Sequence, residues 1–205
     1  MYRKLAAAAG ISVALSFPGC ATRAPTEEQI ADACTMLSDN RGWYNDLRHS
    51  AKDWGAPMGL QLAIIRQESS FEHKALAPRG PKQWIFFPGK RLSSAQGYAQ
   101  ALDGTWEHYK TETGNNNADR RNFGDTTDFI GWYVNQSARQ ARIGQFDYRA
   151  HYLAYHEGPG GYLKGDWKRN KVLLASANRV ASNATLYEAQ IRDCKALKPK
   201  FLGIF

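Results

Sequence analysis

Apolar positions recur at helical spacing through most of this chain, and no alternating strand pattern of useful length appears. Thr26, with Gln29 three residues on, makes a capping box that predicts a helix through about Ser38. Arg41 to Trp54 predicts a second, with Tyr44, Leu47, Ala51 and Trp54 on one side. Pro57 opens a third that runs to Phe71, because its fixed φ suits a first helical turn. On a wheel of about 100° per residue, Met58, Leu60, Leu62, Ile64, Ile65 and Phe71 share one broad arc that must face a core. Ala63 and Arg66 point elsewhere, while Glu68 falls inside the arc, between Ile64 and Ile65.

The pattern then breaks. His73 to Ser94 holds three prolines and two glycines around Trp84-Ile85-Phe86-Phe87, and predicts a loop or a short hairpin. Its aromatic run either packs the loop down or touches a substrate, since long irregular loops are usually functional or mobile. Ala95 to Tyr109 predicts another helix, and Thr113 to Gly124 a polar, exposed stretch. Thr126 or Thr127 then caps a helix to about Ile143. Asp147 starts the next, with Tyr148, Tyr152 and Tyr155 at helical spacing, and Gly158-Pro159-Gly160-Gly161 stops it. A last long helical region spans about Lys171 to Leu197, followed by a basic, apolar tail. The expected class is all-α, one domain over residues 26–205 without internal repeats.

Glu68 carries the first candidate chemistry. A carboxylate on the buried side of an apolar helix costs several kcal/mol if ionised and unpaired. Burial would raise its pKa, as a general acid working near neutral pH requires. The wheel alone leaves a second reading open, in which Glu68 salt-bridges a neighbour at the helix end.

Composition widens the range of partners. Aromatics make up 12% of the chain, with six Trp and ten Tyr, and such rings stack on sugars or bases as well as filling a core. The net charge of +8 favours an anionic partner: nucleic acid, anionic lipid, or an acidic polymer such as peptidoglycan. No helix carries a basic stripe, and the start of the chain points to export, so nucleic acid is not expected. Met1 to Lys4 and the apolar, alanine-rich run to Phe17 read as the n- and h-regions of a signal peptide over residues 1–19. Phe17-Pro18-Gly19-Cys20 resembles the lipobox of a bacterial lipoprotein, although Phe17 and Pro18 depart from it. Cys20 would then carry lipid and residues 20–25 would form a tether. Ala21 after it, rather than aspartate, points to the periplasmic face of the outer membrane. The other reading is an ordinary cleaved signal with Cys20 left over. Cys34 and Cys194 are expected to pair in an exported protein, tying the first helix to the last. No other stretch nears 20 apolar residues. No Cys/His cluster has metal-ligand spacing and no Gly-rich loop is of phosphate-binding form, so neither metal nor cofactor is expected.

Three stretches, in order, resemble one family. Glu68-Ser69-Ser70-Phe71 is similar to the Glu-Ser-x-Phe motif of soluble-type lytic transglycosylases, relatives of goose-type lysozyme. Ala95-Gln96-Gly97-Tyr98-Ala99-Gln100, with Thr105-Trp106 following, resembles that family's Gly-Leu-Met-Gln…Thr-Trp/Tyr helix. Ala154-Tyr155-His156-Glu157-Gly158-Pro159-Gly160 resembles its Ala-Tyr-Asn-Ala-Gly-Pro-Gly. The trio spans about Pro57 to Tyr162. Tyr98-Ala99 replaces Leu-Met, His156-Glu157 replaces Asn-Ala, and the connector between the first two motifs, which includes Pro78 to Ser94, is longer than usual.

The resemblance implies a lysozyme-like helical domain acting on peptidoglycan glycan strands. Glu68 would be the acid and then the base, the sugar's N-acetyl group replacing a second carboxylate. A 1,6-anhydro ring would close without water. Ser69 or Ser70 would hydrogen-bond the Glu68 carboxyl or the N-acetyl group, or else cap the helix end. Gln100 would bind sugar from a facing helix, with Tyr98 and His156 beside it, and Tyr155 would aim its hydroxyl at Glu68 or the acetamide. Two alternatives stand beside this reading. One is a hydrolytic muramidase with Glu157 or Asp166 as base, and the other a wall-binding lipoprotein without turnover.

Overall fold

The computed structural model describes residues 24–81 and 89–198. The signal peptide, Cys20, the Trp84–Phe87 run and the C-terminal tail lie outside the described residues. Among the described residues the chain forms α-helices and no strand, the expected all-α class.

The capping box at Thr26 forms, but the helix it opens is broken. α1 spans Glu27–Ala31 and α2 spans Ala33–Asp39. Asp32 sits between them in extended backbone, where its carboxylate accepts from the Cys34 N–H at 3.0 Å and the Thr35 hydroxyl at 2.7 Å. A short acidic side chain that satisfies backbone donors competes with helix continuation, so Asp32 ends one helix and caps the next.

α3 covers Arg41–Trp54, as predicted. α4, Met58–Ser69, departs from the expected amphipathic helix, because Gly59 to Ile65 are all buried, Ala63 included. It is the axis of the fold. Its longest seam runs along α8, Lys171–Asp193, and Gly59 permits the approach, since a Cβ there would lie 2.5 Å from the Ala184 carbonyl oxygen. α6, Phe123–Ala141, packs on α3, and α7, Tyr148–Lys164, lies against α6 and α8.

Three further boundaries differ from expectation. Residues 95–102 are irregular, with a turn over 97–100 closed by a bridge between Gln96 and Ala101; α5 begins only at Asp103 and runs to Thr113. Asn122, not Thr126 or Thr127, caps α6, and both threonines are buried. The expected stop at Gly158 is a kink instead: Gly158 takes φ 74° and ψ 159°, a conformation open to glycine, and helical turns resume through Lys164.

The expected loop or hairpin is an antiparallel arm. Gly80 N–H donates to the Lys90 carbonyl at 2.9 Å, Leu92 N–H to Pro78 at 3.0 Å and Ala77 N–H to Ala95 at 3.0 Å. At the other end of the molecule Cys34 and Cys194 form a disulfide, with Cα atoms 5.4 Å apart. Around it, Tyr187 donates to the Ile30 carbonyl at 2.5 Å and Gln190 to that of Ala31 at 3.0 Å. Arg41 reaches the carbonyls of Ala196 and Leu197.

Candidate active site

Glu68 occupies the last turn of α4, where the chain turns sharply. Ser70 and Phe71 both have positive φ, 49° and 63°, which non-glycine residues adopt at a cost of order 1–2 kcal/mol each. The Phe71 side chain makes the turn tolerable: it is fully buried and stacks on Trp43 with ring centroids 5.9 Å apart. This peg holds the end of α4, and with it Glu68, against the mouth of a cleft.

That cleft has a volume of about 390 Å³. Glu68 stands on one side; Gln100, Ala101, Leu102 and Thr105 form the facing wall, while Phe129, Tyr133 and the turn Tyr155–Gly158 complete it. The 95–102 part of that wall is not a helix, so it needs other support, and Arg120 supplies much of it. Although it lies in the stretch expected to be exposed, Arg120 is buried. It donates to the Ala101 carbonyl at 3.2 Å and pairs with Asp103 at 2.8 Å. In sequence it is one cation among several in a polar run, and only the fold distinguishes it.

The expected site residues do not all reach the cleft. Gln100 lines it, yet from a turn with φ 47° rather than from a helix, and its amide nitrogen donates to the Ala75 and Gly97 carbonyls at 3.2 and 3.0 Å. Tyr98 does not line this cleft. It is 2% exposed and packs edge-on against Trp43 and Phe123, because the 97–100 turn directs it into the core. Ser69 and Ser70 donate back to the Ile65 and Arg66 carbonyls of their own helix. Of their two expected roles, this is the capping one. Tyr155 lines the cleft but donates to the Ala99 carbonyl at 2.7 Å, not to Glu68.

Tyr152 takes the place expected of Tyr155, donating to Glu68 Oε1 at 3.0 Å. It sits on the helical face already noted, but nothing in the three motifs marks it. His156 and Glu157 both line the cleft and pair with each other, Nδ1 to Oε1, at 2.9 Å. Asp166 does not line it; it lies in the short 3-10 turn after α7, exposed and paired with Arg169 at 3.1 Å. Among the described residues no group of three or more His, Cys, Asp or Glu is placed to hold a metal ion.

Burial raises the Glu68 pKa above the ordinary carboxyl value, while the Tyr152 hydrogen bond and the nearby His156 pull it back in part. Burial beside Glu68 also holds the Tyr152 and Tyr155 hydroxyls well above their usual range, so both remain protonated. Tyr152→Phe removes the donor that steadies the Glu68 carboxylate. The Glu68 pKa should then rise further, moving the alkaline fall-off of an activity that needs protonated Glu68 to higher pH. The lost bond should also cost roughly 1 kcal/mol of stability. A pH–rate profile of Tyr152→Phe overlying that of the parent would show that Tyr152 does not tune the acid.

An all-α fold wrapped on one buried helix, with a half-buried carboxylic acid at that helix's end and an aromatic-walled cleft, defines a lysozyme-like domain. Residues 8–194 match the family model of the transglycosylase SLT domain, and the chain belongs to that family. Its activity is peptidoglycan cleavage of the lytic-transglycosylase type. Comparison with curated proteins found no match.

Proposed function

We propose that this chain cleaves the β-1,4 bond between N-acetylmuramic acid and N-acetylglucosamine, with Glu68 as acid and then base. The observation that carries the reading is the Glu68 carboxyl itself, half-buried in the cleft with a raised pKa and held by Tyr152. Protonated Glu68 gives its proton to the leaving glycosidic oxygen as the C1–O4 bond breaks. The acetamido oxygen of the muramic residue shields the positive charge at C1. Glu68, now a carboxylate, takes the proton of the same sugar's C6 hydroxyl, and O6 bonds to C1 to close the 1,6-anhydro ring. Proton count balances, and Glu68 returns to its starting state. His156 and Gln100, both on the cleft wall, are the residues placed to bind sugar hydroxyls or the acetamide.

Glu157, a second carboxylate on the same cleft, favours one alternative, in which it activates water and the product is a reducing end. Mass spectrometry of the products from purified peptidoglycan separates the two. Anhydro ends are expected; reducing ends alone would give the chemistry to Glu157 and water, and no products would leave a wall-binding role.

Cys20 is proposed as the lipidated first residue of the mature protein, placing the enzyme at the periplasmic face of the outer membrane. Cys20→Ser should release it into the soluble fraction, and a variant that still sediments with membranes would argue against the anchor.

A further inference from the structure

A second concavity lies beside the glycan cleft, around the end of α4. It has a volume of about 660 Å³ and is lined by Glu27 of α1, by Arg66, Gln67 and Ser70, and by Asn178, Arg179, Ser182 and Asn183 of α8. The acid–base chemistry above uses none of these side chains. Gln67 immediately precedes Glu68, and the Arg179 charge is felt by Tyr152, the residue bonded to Glu68. The two concavities are therefore neighbours across one helical turn.

Its chemistry is specific. Arg66 is held in place: its Nη1 donates to the Tyr187 hydroxyl at 3.1 Å and to Asn183 Oδ1 at 3.4 Å. Its guanidinium carbon stands 5.9 Å from the centroid of the Tyr187 ring, and Tyr187 is fully buried. Arg179 donates to the Ser176 hydroxyl at 2.8 Å. Among the described residues neither arginine forms an ion pair with a carboxylate. Two guanidiniums without carboxylate partners in one groove match a carboxylate, which each can grip through paired N–H donors. The remaining lining is three amides, two hydroxyls and the single acid Glu27. Amides both donate and accept, as peptide groups do, and Glu27 offers an acceptor for an N–H or an ammonium. Asn178 Oδ1 already accepts from Arg149 at 2.8 Å and Asn183 Oδ1 from Arg66, so it is their amide N–H groups that remain for a ligand, and a multiply charged phosphate would be repelled by Glu27.

We infer that this groove binds a short acidic peptide through Arg66 and Arg179, and that the peptide is the stem carried by the glycan substrate. This rests on the glycan-cleaving reading above. The peptide could come from the strand held in the cleft or from a neighbouring strand of the wall.

The test uses the whole mature protein with Arg179→Gln, an exposed position, and Arg66→Gln beside the parent, with thermal unfolding as the folding control. The probe is the free stem peptide released from peptidoglycan by an amidase, titrated by calorimetry. Each substitution should weaken its binding about tenfold or more. Stem-bearing and amidase-stripped glycan are then compared as substrates. A fall of about tenfold in their kcat/KM ratio in the variants supports the inference with the stem on the cleaved strand. Weakened peptide binding with that ratio unchanged supports it with the stem on a neighbouring strand. Peptide binding that neither variant alters, or a groove that takes inorganic phosphate and ignores the peptide, overturns it. Binding is read without turnover, so a protein that cleaves no glycan still reports on the groove, and failure of the catalytic reading is seen separately.

Discussion

Glu68→Gln is expected to abolish glycan cleavage while leaving the protein folded. The amide keeps the shape of the carboxyl and can still accept from Tyr152, so the bond at 3.0 Å has a partner in the variant. It can neither give a proton to the leaving oxygen nor take one from the C6 hydroxyl. General acid–base catalysis is worth about 10²- to 10⁴-fold, or roughly 3–5 kcal/mol of barrier. One residue serving both steps places the loss at the upper end of that range. Stability should move the other way. Folding raises the Glu68 pKa, so folding favours its protonated form. Its contribution is fully present below the unfolded-state carboxyl pKa and is lost as pH rises through the folded value. Glutamine cannot ionise, so the variant should melt higher than the parent at neutral pH, with the gain vanishing in acid. Cleavage assays on Glu68→Gln and Glu157→Gln, with melting curves at both pH values, check both halves. A folded Glu68→Gln protein with near-parent activity would sink the mechanism, and a dead Glu157→Gln beside it would move the chemistry to the third motif.

Opening the Cys34–Cys194 bridge should cost far more stability than Tyr152→Phe or the arginine substitutions. It links residues 160 apart in sequence, and closing so long a loop is worth about 5 kcal/mol in the chain-entropy model. Domains of this size are stable by only about 5–15 kcal/mol. About 2–4 °C of melting temperature accompanies each kcal/mol at this length, so Cys34→Ala/Cys194→Ala should melt about 10–20 °C lower. The seam of Tyr187, Gln190 and Arg41 bonds across the termini remains in the variant. Activity should therefore persist well below the new midpoint, because the bridge ties α2 to the end of α8 and does not line the cleft. Melting of the variant within a degree or two of the parent would show that the non-covalent seam suffices.

The departures from the sequence-based expectations share a cause. Residues 95–109 carry apolar side chains at tolerable helical spacing, which puts Gln100 on a helix. In the fold, residues 95–102 are irregular and pinned by Arg120 and by the arm at 75–77. Those partners lie some 20 residues away along the chain, where periodicity carries no information. Tyr98 belongs to the same stretch, and the turn sends it into the core rather than the site. Gly158 carries a breaker signal that is real, but only the packing of α7 on α6 and α8 decides whether the chain bends or stops there.

Several features are decided within a few residues and are legible in the sequence. The Thr26–Gln29 capping box, the span of α3, the body of α8 and the place of Glu68 at the end of an apolar helix all depend on neighbours one or two turns away. Pairing of Cys34 with Cys194 is legible once Cys20 is set aside as the expected lipid site, which leaves two cysteines for one bridge. What the tertiary structure alone decides is which side chains meet across elements. Tyr152 and Tyr155 stand three residues apart on one face of α7, and by spacing either can reach the acid. The packing of α7 on α6 and α8 aims Tyr152 at Glu68 and Tyr155 at the Ala99 carbonyl. A hydrogen bond is gained or lost within about 1 Å, and helical spacing locates a side chain only to a face, so the partner of the acid is settled by packing.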